Sequence, residues 1–220
     1  MEHLVVKWLA PVLLAVAVLA ALPPAAARAE PVRLVALGDS LTAGYGLPAA
    51  DAFPVKLAAA LKARGHDVVI DNAGVSGDTA SAGAARLDWS VPDGTQGVIL
   101  ELGANDALRG IDPVVTEKAL DAALAGLKQR GIPVLIAGML APPNMGADYK
   151  ARFDAIYPAL AAKYGAPLYP FFLDGVTGQG PTLNQADGMH PTAAGVDVMV
   201  VKILPAVEAW LATLKAGKAG

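Results

Sequence analysis

Two hydrophobic rhythms alternate along this chain. Short, near-continuous apolar runs occur at Val32–Leu37, Val68–Asp71, Val98–Leu102, Val134–Leu140 and Pro167–Phe171. Runs of this length without polar alternation predict strands covered on both faces. Between them, apolar residues recur at the spacing of a helix with one buried face. Phe53, Leu57 and Leu61 share such a face, as do Leu120, Leu124 and Leu127, and again Phe153, Ile156 and Leu160. Gly65, Gly131 and Gly165 follow these segments, where a left-handed residue commonly ends a helix. A last helix is expected from Pro191 to about Leu214, with Val196, Val200, Ile203, Val207, Trp210 and Leu214 on one stripe. Pro205 inside it predicts a kink or a short break.

Strand and helix alternating along the chain predict an α/β fold, a parallel sheet with helices on both faces. Five strands suggest the flavodoxin-like order 2-1-3-4-5. No internal repeat, low-complexity linker or second domain interrupts the pattern, so residues 30–220 are expected to form one domain, with a tail that frays after about residue 214. The first 29 residues read differently. Lys7 precedes an uncharged, mostly apolar run from Trp8 to about Leu22, Pro23 and Pro24 break it, and Ala27-Arg28-Ala29 stands before Glu30. This is the pattern of a secretory signal peptide cleaved near Ala29. It predicts a periplasmic or secreted protein with no stable membrane anchor after cleavage.

Composition narrows the chemistry. The 220 residues are 55% hydrophobic, enough to fill the core of one domain. A formal net charge of −3 and the lack of any basic run argue against a nucleic-acid partner. With no cysteine, the chain has no disulfide, thiolate metal ligand, cysteine nucleophile or lipoprotein anchor.

In open α/β sheets, ligands bind beyond the carboxyl ends of the strands, so the segments after each strand matter most. These are Gly38-Asp39-Ser40-Leu41, Asn72 to Thr79, Gly103-Ala104-Asn105-Asp106, and the loop ending Asp187-Gly188-Met189-His190-Pro191. Ser40 at that edge is a candidate nucleophile if a base lies nearby. Of the three histidines, His3 lies in the signal segment and His66 in a helix-to-strand turn expected on the opposite edge. His190 remains. Pro191 disfavours a helical conformation for His190 and suits the first position of the following helix. Asp187 could hold one ring nitrogen while the other takes the Ser40 proton, or it could merely cap the turn. Acyl transfer also needs donors aimed at a developing oxyanion. The backbone N–H of Ser40, the backbone N–H of Gly77 and the Asn105 side-chain amide are candidates.

These residues resemble the SGNH, or GDSL, hydrolase family. Its four name-giving residues match Ser40, Gly77, Asn105 and His190, in the blocks GDSL at 38–41, NAGVSGDT at 72–79, GAND at 103–106 and DGMHP at 187–191. The phrases ALGDSLTAGYGL, NAGVSGDTASAGAARL and ELGANDALRG look like the bacterial periplasmic branch of acyl-CoA thioesterases, lysophospholipases and arylesterases. The resemblance covers about residues 32–212. It implies a three-layer α/β/α sandwich cutting esters or thioesters with no metal or organic cofactor. It also implies a triad of Ser40, Asp187 and His190 and an oxyanion hole of Ser40, Gly77 and Asn105. Ala104 departs from the glycine often found there. No G-x-S-x-G surrounds Ser40, so the α/β-hydrolase elbow is not implied.

Position alone suggests an apolar groove for an acyl or aryl group, lined by Leu108, Ile111, Pro142, Met145 and Leu183. The expected partner is a small ester or thioester, and the expected state a monomer. Two rival readings use the same residues: a carbohydrate O-deacetylase on the same fold, and a non-enzymatic flavodoxin-like module binding an anion or nucleotide. Asp39 and Asp106 are expected to order loops through backbone hydrogen bonds, Thr42 and Thr79 to cap helices, and Trp89 and Trp210 to pack. Glu101 stands in an apolar strand, where an unpaired carboxylate is costly, and has no expected role beyond structure.

Overall fold

The computed structural model describes residues 30–216; the expected signal peptide lies outside them. Five parallel strands form one sheet in the order β2-β1-β3-β4-β5: β1 (Val32–Gly38), β2 (Val68–Gly74), β3 (Gly97–Leu100), β4 (Val134–Ala137) and β5 (Leu168–Tyr169). The expected order and parallel pairing are therefore present. β1 is the hinge of the topology, pairing with β2 from Val32↔Val68 to Gly38↔Gly74 and with β3 from Leu34↔Gly97 to Leu37↔Leu100.

The strand ends differ from the expected ones. β2 runs on to Gly74, and its edge position leaves Val69, Asp71 and Asn72 exposed rather than covered. β4 stops at Ala137, before Leu140. At Gly138 the chain meets the segment after β5 too closely for any side chain, since an added Cβ would lie 2.6 Å from the Pro170 carbonyl oxygen. β5 is a two-residue edge strand.

The helices cover both faces. α2 (Phe53–Ala63) and α9 (Ala193–Ala216) pack together on one side, and α3 (Ala80–Ala85), α6 (Pro113–Gln129) and α8 (Ile156–Tyr164) on the other. Shorter pieces are α1 (Ser40–Ala43), α4 (Leu87–Ser90), α5 (Ala104–Leu108) and α7 (Ala147–Asp154). The expected stripe of Phe153, Ile156 and Leu160 spans α7 and α8, which break at Ala155, yet all three residues are buried. α9 begins two residues later than expected, capped by the Thr192 hydroxyl accepting from the Gly195 N–H at 3.2 Å. It continues through Pro205 without interruption of its helical assignment, because packing of Val200, Ile203 and Val207 into the core outweighs one missing N–H.

The core lies on both faces of β1, β3 and β4. Phe53 meets Phe172 edge-on at 4.7 Å between ring centroids, the arrangement aromatic pairs prefer. Trp210 is buried as expected, against Gly97 of β3. Trp89 is not: it is 78% exposed, because α4 is a single turn that buries only Leu87. Thr79 caps α3 by accepting from the Ala82 N–H. Thr42 caps nothing; it lies buried inside α1, whose cap is Asp39. His66 meets Glu208 of α9 at 3.1 Å, at the amino ends of the strands and away from the candidate site.

Candidate active site

The chain turns at the carboxyl ends of β1 and β3, where strand order reverses and a crevice forms. β1 ends at Gly38, and Asp39 turns the chain into α1, its Oδ1 accepting from the Leu41 N–H at 3.0 Å. Ser40 is thus the first residue of a one-turn helix. No acceptor among the described residues meets the N–H of Ser40 or of Gly77. Gly77 sits at φ +88°, where a side chain would be strained.

The last loop returns to this turn across 150 positions of sequence. His190 Nε2 lies 2.8 Å from Ser40 Oγ, and His190 Nδ1 lies 2.6 Å from Asp187 Oδ2. Asp187 is braced by its own loop, its Oδ1 accepting from the N–H of Met189 and of His190. The His190 N–H, the imidazole and the Met189 N–H, in that order, pull the Asp187 carboxyl down to about 2. The carboxylate is therefore ionised across the neutral range and can only accept. That places the proton of a neutral imidazole on Nδ1 and leaves the Nε2 lone pair to receive the Ser40 hydroxyl proton.

Asn105, in the first turn of α5, reaches into the same crevice. Its Nδ2 donates to Asp39 Oδ2 and to the Asp78 carbonyl, both at 3.0 Å. Ser40, Gly77, Asn105, Asp187 and His190 thus gather at one edge of the sheet, as their loops predict. Asp39 bonds backbone as expected, and so does Asp106, whose Oδ2 accepts from the Ala80 N–H and Oδ1 from the Thr116 hydroxyl. Burial raises the pKa of both, Asp39 to about 6.

The groove candidates divide. Leu108 is half exposed at the end of α5, and Met145 places its methyl 3.5 Å from the position a Cβ would take on Gly110, so these two loops meet. Ile111 follows Gly110 on the same loop, its carbonyl held by the Tyr149 hydroxyl at 2.8 Å. Pro142 begins the turn that carries Met145. Leu183 is on the last loop, partly buried against the core, with its carbonyl accepting from the Thr192 N–H at the start of α9.

Three further residues were not singled out from sequence. Arg86 is buried and ties the loops together: its Nε meets Asp78 Oδ2 at 2.6 Å and its Nη2 donates to the Gly38 carbonyl at 2.9 Å. Arg109 holds the Gly77 carbonyl at 2.8 Å. Tyr45 lays its ring against His190, 4.5 Å between centroids. Position after a site strand was the available signal for each; arginine and tyrosine on loops are too common to stand out. Among the described residues, no group of three or more His, Asp or Glu side chains could hold a metal ion.

A serine, a glycine, an asparagine and a histidine on four loops of a parallel sheet define a serine hydrolase of the SGNH kind. The chain belongs to the GDSL-like lipase/acylhydrolase family, whose model matches residues 36–198, and it is a hydrolase acting on esters. It is 41% identical over 160 residues to an arylesterase of Vibrio mimicus, covering 72% of this chain and 80% of that one. It is 40% identical over 159 residues to thioesterase 1/protease 1/lysophospholipase L1 of Escherichia coli K12, covering 72% and 74%. Among solved structures, the SGNH-hydrolase family esterase AlinE4 superposes with a TM-score of 0.70 at 46% identity, covering 84% of this chain and 98% of that one.

Proposed function

We propose that the protein hydrolyses carboxylic esters and thioesters through an acyl-enzyme on Ser40. The observation that carries this reading is the line of 2.8 Å and 2.6 Å contacts from Ser40 Oγ through His190 to Asp187. His190 Nε2 takes the hydroxyl proton as Ser40 Oγ bonds to the acyl carbon. The imidazolium so formed faces the ionised Asp187 and then protonates the leaving alcohol or thiol. Water, deprotonated by His190, releases the acid and restores the serine. The oxyanion is held by the N–H groups of Ser40 and Gly77. Asn105 becomes the third donor when its bond to the Asp78 carbonyl gives way. Leu108, Ile111 and Met145 form the acyl-facing wall, with Pro142 setting the turn beneath.

The tests are direct. A fluorophosphonate probe labels Ser40 in the wild type and not in Ser40→Ala; labelling elsewhere, or none, overturns the assignment. A profile over acetyl to octanoyl esters and thioesters then separates this reading from a sugar O-deacetylase, which would favour acetyl alone. The protein is proposed to act as an exported monomer after loss of residues 1–29. No helix among the described residues is long and apolar enough to cross a membrane. Amino-terminal sequencing and light scattering on protein recovered from the periplasm check both points.

A further inference from the structure

Glu101 directly follows β3, 1% exposed, beside Asp39, which is fully buried. Its Oε2 accepts from the Thr42 hydroxyl at 2.8 Å and from the Asp39 N–H at 3.3 Å. The residues on either side of the Ser40–Leu41 pair therefore hang on one carboxyl oxygen. Oε2 also fills the space beside Gly38, 2.6 Å from where a Cβ would stand. The other oxygen, Oε1, is buried with no partner. Asp39, in turn, joins the Leu41 N–H to the Asn105 amide. One buried carboxyl thus underlies the serine turn directly and the asparagine through Asp39.

We infer that Glu101 is a positioning residue for acyl transfer, holding the Ser40 turn and, through Asp39, the Asn105 amide in mutual register. It does so as a neutral acid. Among the described residues no lysine or arginine side chain pairs with either carboxyl, and the Arg86 guanidinium is spent on Asp78, Ser90 and the Gly38 carbonyl. Two adjacent carboxyls with almost no exposure cannot both ionise. Asp39 keeps the charge because it accepts from Leu41 and Asn105. Burial first, and the Asp39 charge second, raise Glu101 well above the usual carboxylate range.

This inference rests on Ser40 as nucleophile, which fluorophosphonate labelling of the wild type checks separately. In the test, kcat, KM and melting temperature are measured on a p-nitrophenyl ester for Glu101→Leu, Glu101→Gln and Thr42→Val. Glu101→Leu lowers kcat by about 100-fold with KM little changed, the size of loss a misplaced reacting group causes. Glu101→Gln, which keeps an uncharged acceptor for Thr42 and the Asp39 N–H, recovers kcat to within about threefold of wild type. If Glu101→Gln falls as far as Glu101→Leu, the neutral acid is wrong. If Glu101→Leu folds and keeps wild-type kcat, the positioning role is wrong. Should Glu101→Leu not fold, Thr42→Val decides: a drop in kcat of about tenfold at unchanged KM is expected, and unchanged kcat overturns the inference. Labelled wild type with unaffected variants sinks this inference alone; unlabelled Ser40 sinks the reading beneath it.

Discussion

The Asn105 amide donates to Asp39 Oδ2 across 3.0 Å, joining two loops 66 residues apart. The same nitrogen also donates to the Asp78 carbonyl, so both of its protons are engaged in the resting site. Asn105→Ala removes a preoriented donor and is expected to cost about 2.7–4 kcal/mol of transition-state stabilisation. The measurement is kcat/KM on a short-chain ester, with binding of an unreactive ester analogue as control. A loss confined to KM would show that Asn105 serves ground-state binding.

Ser40→Ala takes one oxygen from a turn held by Asp39, Glu101 and Thr42. The fold should survive with its melting temperature near that of wild type, because none of those bonds uses the Ser40 hydroxyl. Ester turnover should fall to background. Circular dichroism melts beside p-nitrophenyl ester hydrolysis test both halves of the expectation.

Asp187 links the site to pH. Its folded-state pKa of about 2 lies below the unfolded value of about 3.9. A lowered pKa means that the stabilisation is fully present above the unfolded value. It is lost as pH falls through the folded one. Wild type should therefore exceed Asp187→Asn in urea stability at pH 6, and the gap should close between about pH 4 and pH 2. A gap independent of pH would assign the stabilisation to something other than the carboxylate charge. At neutral pH the variant also loses turnover, since an amide can present its N–H to Nδ1 and favour the wrong tautomer.

The apolar wall predicts selectivity. Leu108→Glu and Met145→Glu put charge on the two loops that meet at Gly110. Each should lower kcat/KM for octanoyl esters more than for acetyl esters, because only the longer chain reaches the wall. An equal loss for both would mean that the acyl chain runs elsewhere.

Gly74 tests the close packing that sets the serine turn. A Cβ there would lie 2.3 Å from the Ala43 backbone nitrogen and 2.8 Å from the Asp39 carbonyl oxygen. Backbone cannot step aside as a flexible side chain can. Gly74→Ala should lower stability by about 1–3 kcal/mol, the usual cost of overpacking, and shift Ser40 enough to depress kcat. Denaturant melts and kinetics on the same preparation give both numbers.

The sheet order, its parallel sense and the sheet edge to which the candidate site residues come were legible in the chain. Continuous apolar runs such as Val32–Leu37 are the signature of strands covered on both faces, and short loops after them carry chemistry to one edge. Such patterns are local and survive in one dimension. Strand ends and the exposure of Trp89 were not legible, because they depend on which neighbour arrives in space. Nor did sequence give Glu101 a role, since a carboxylate at a strand end looks the same whether it meets water or Asp39. The order of residues determined which groups could take part and on which edge they would lie. Only the tertiary structure decided that Nε2 of His190 faces Ser40 at 2.8 Å and that both protons of Asn105 are already engaged. Hydrogen bonds act over about 3 Å, and no pattern along the chain resolves distances that short between residues far apart in it.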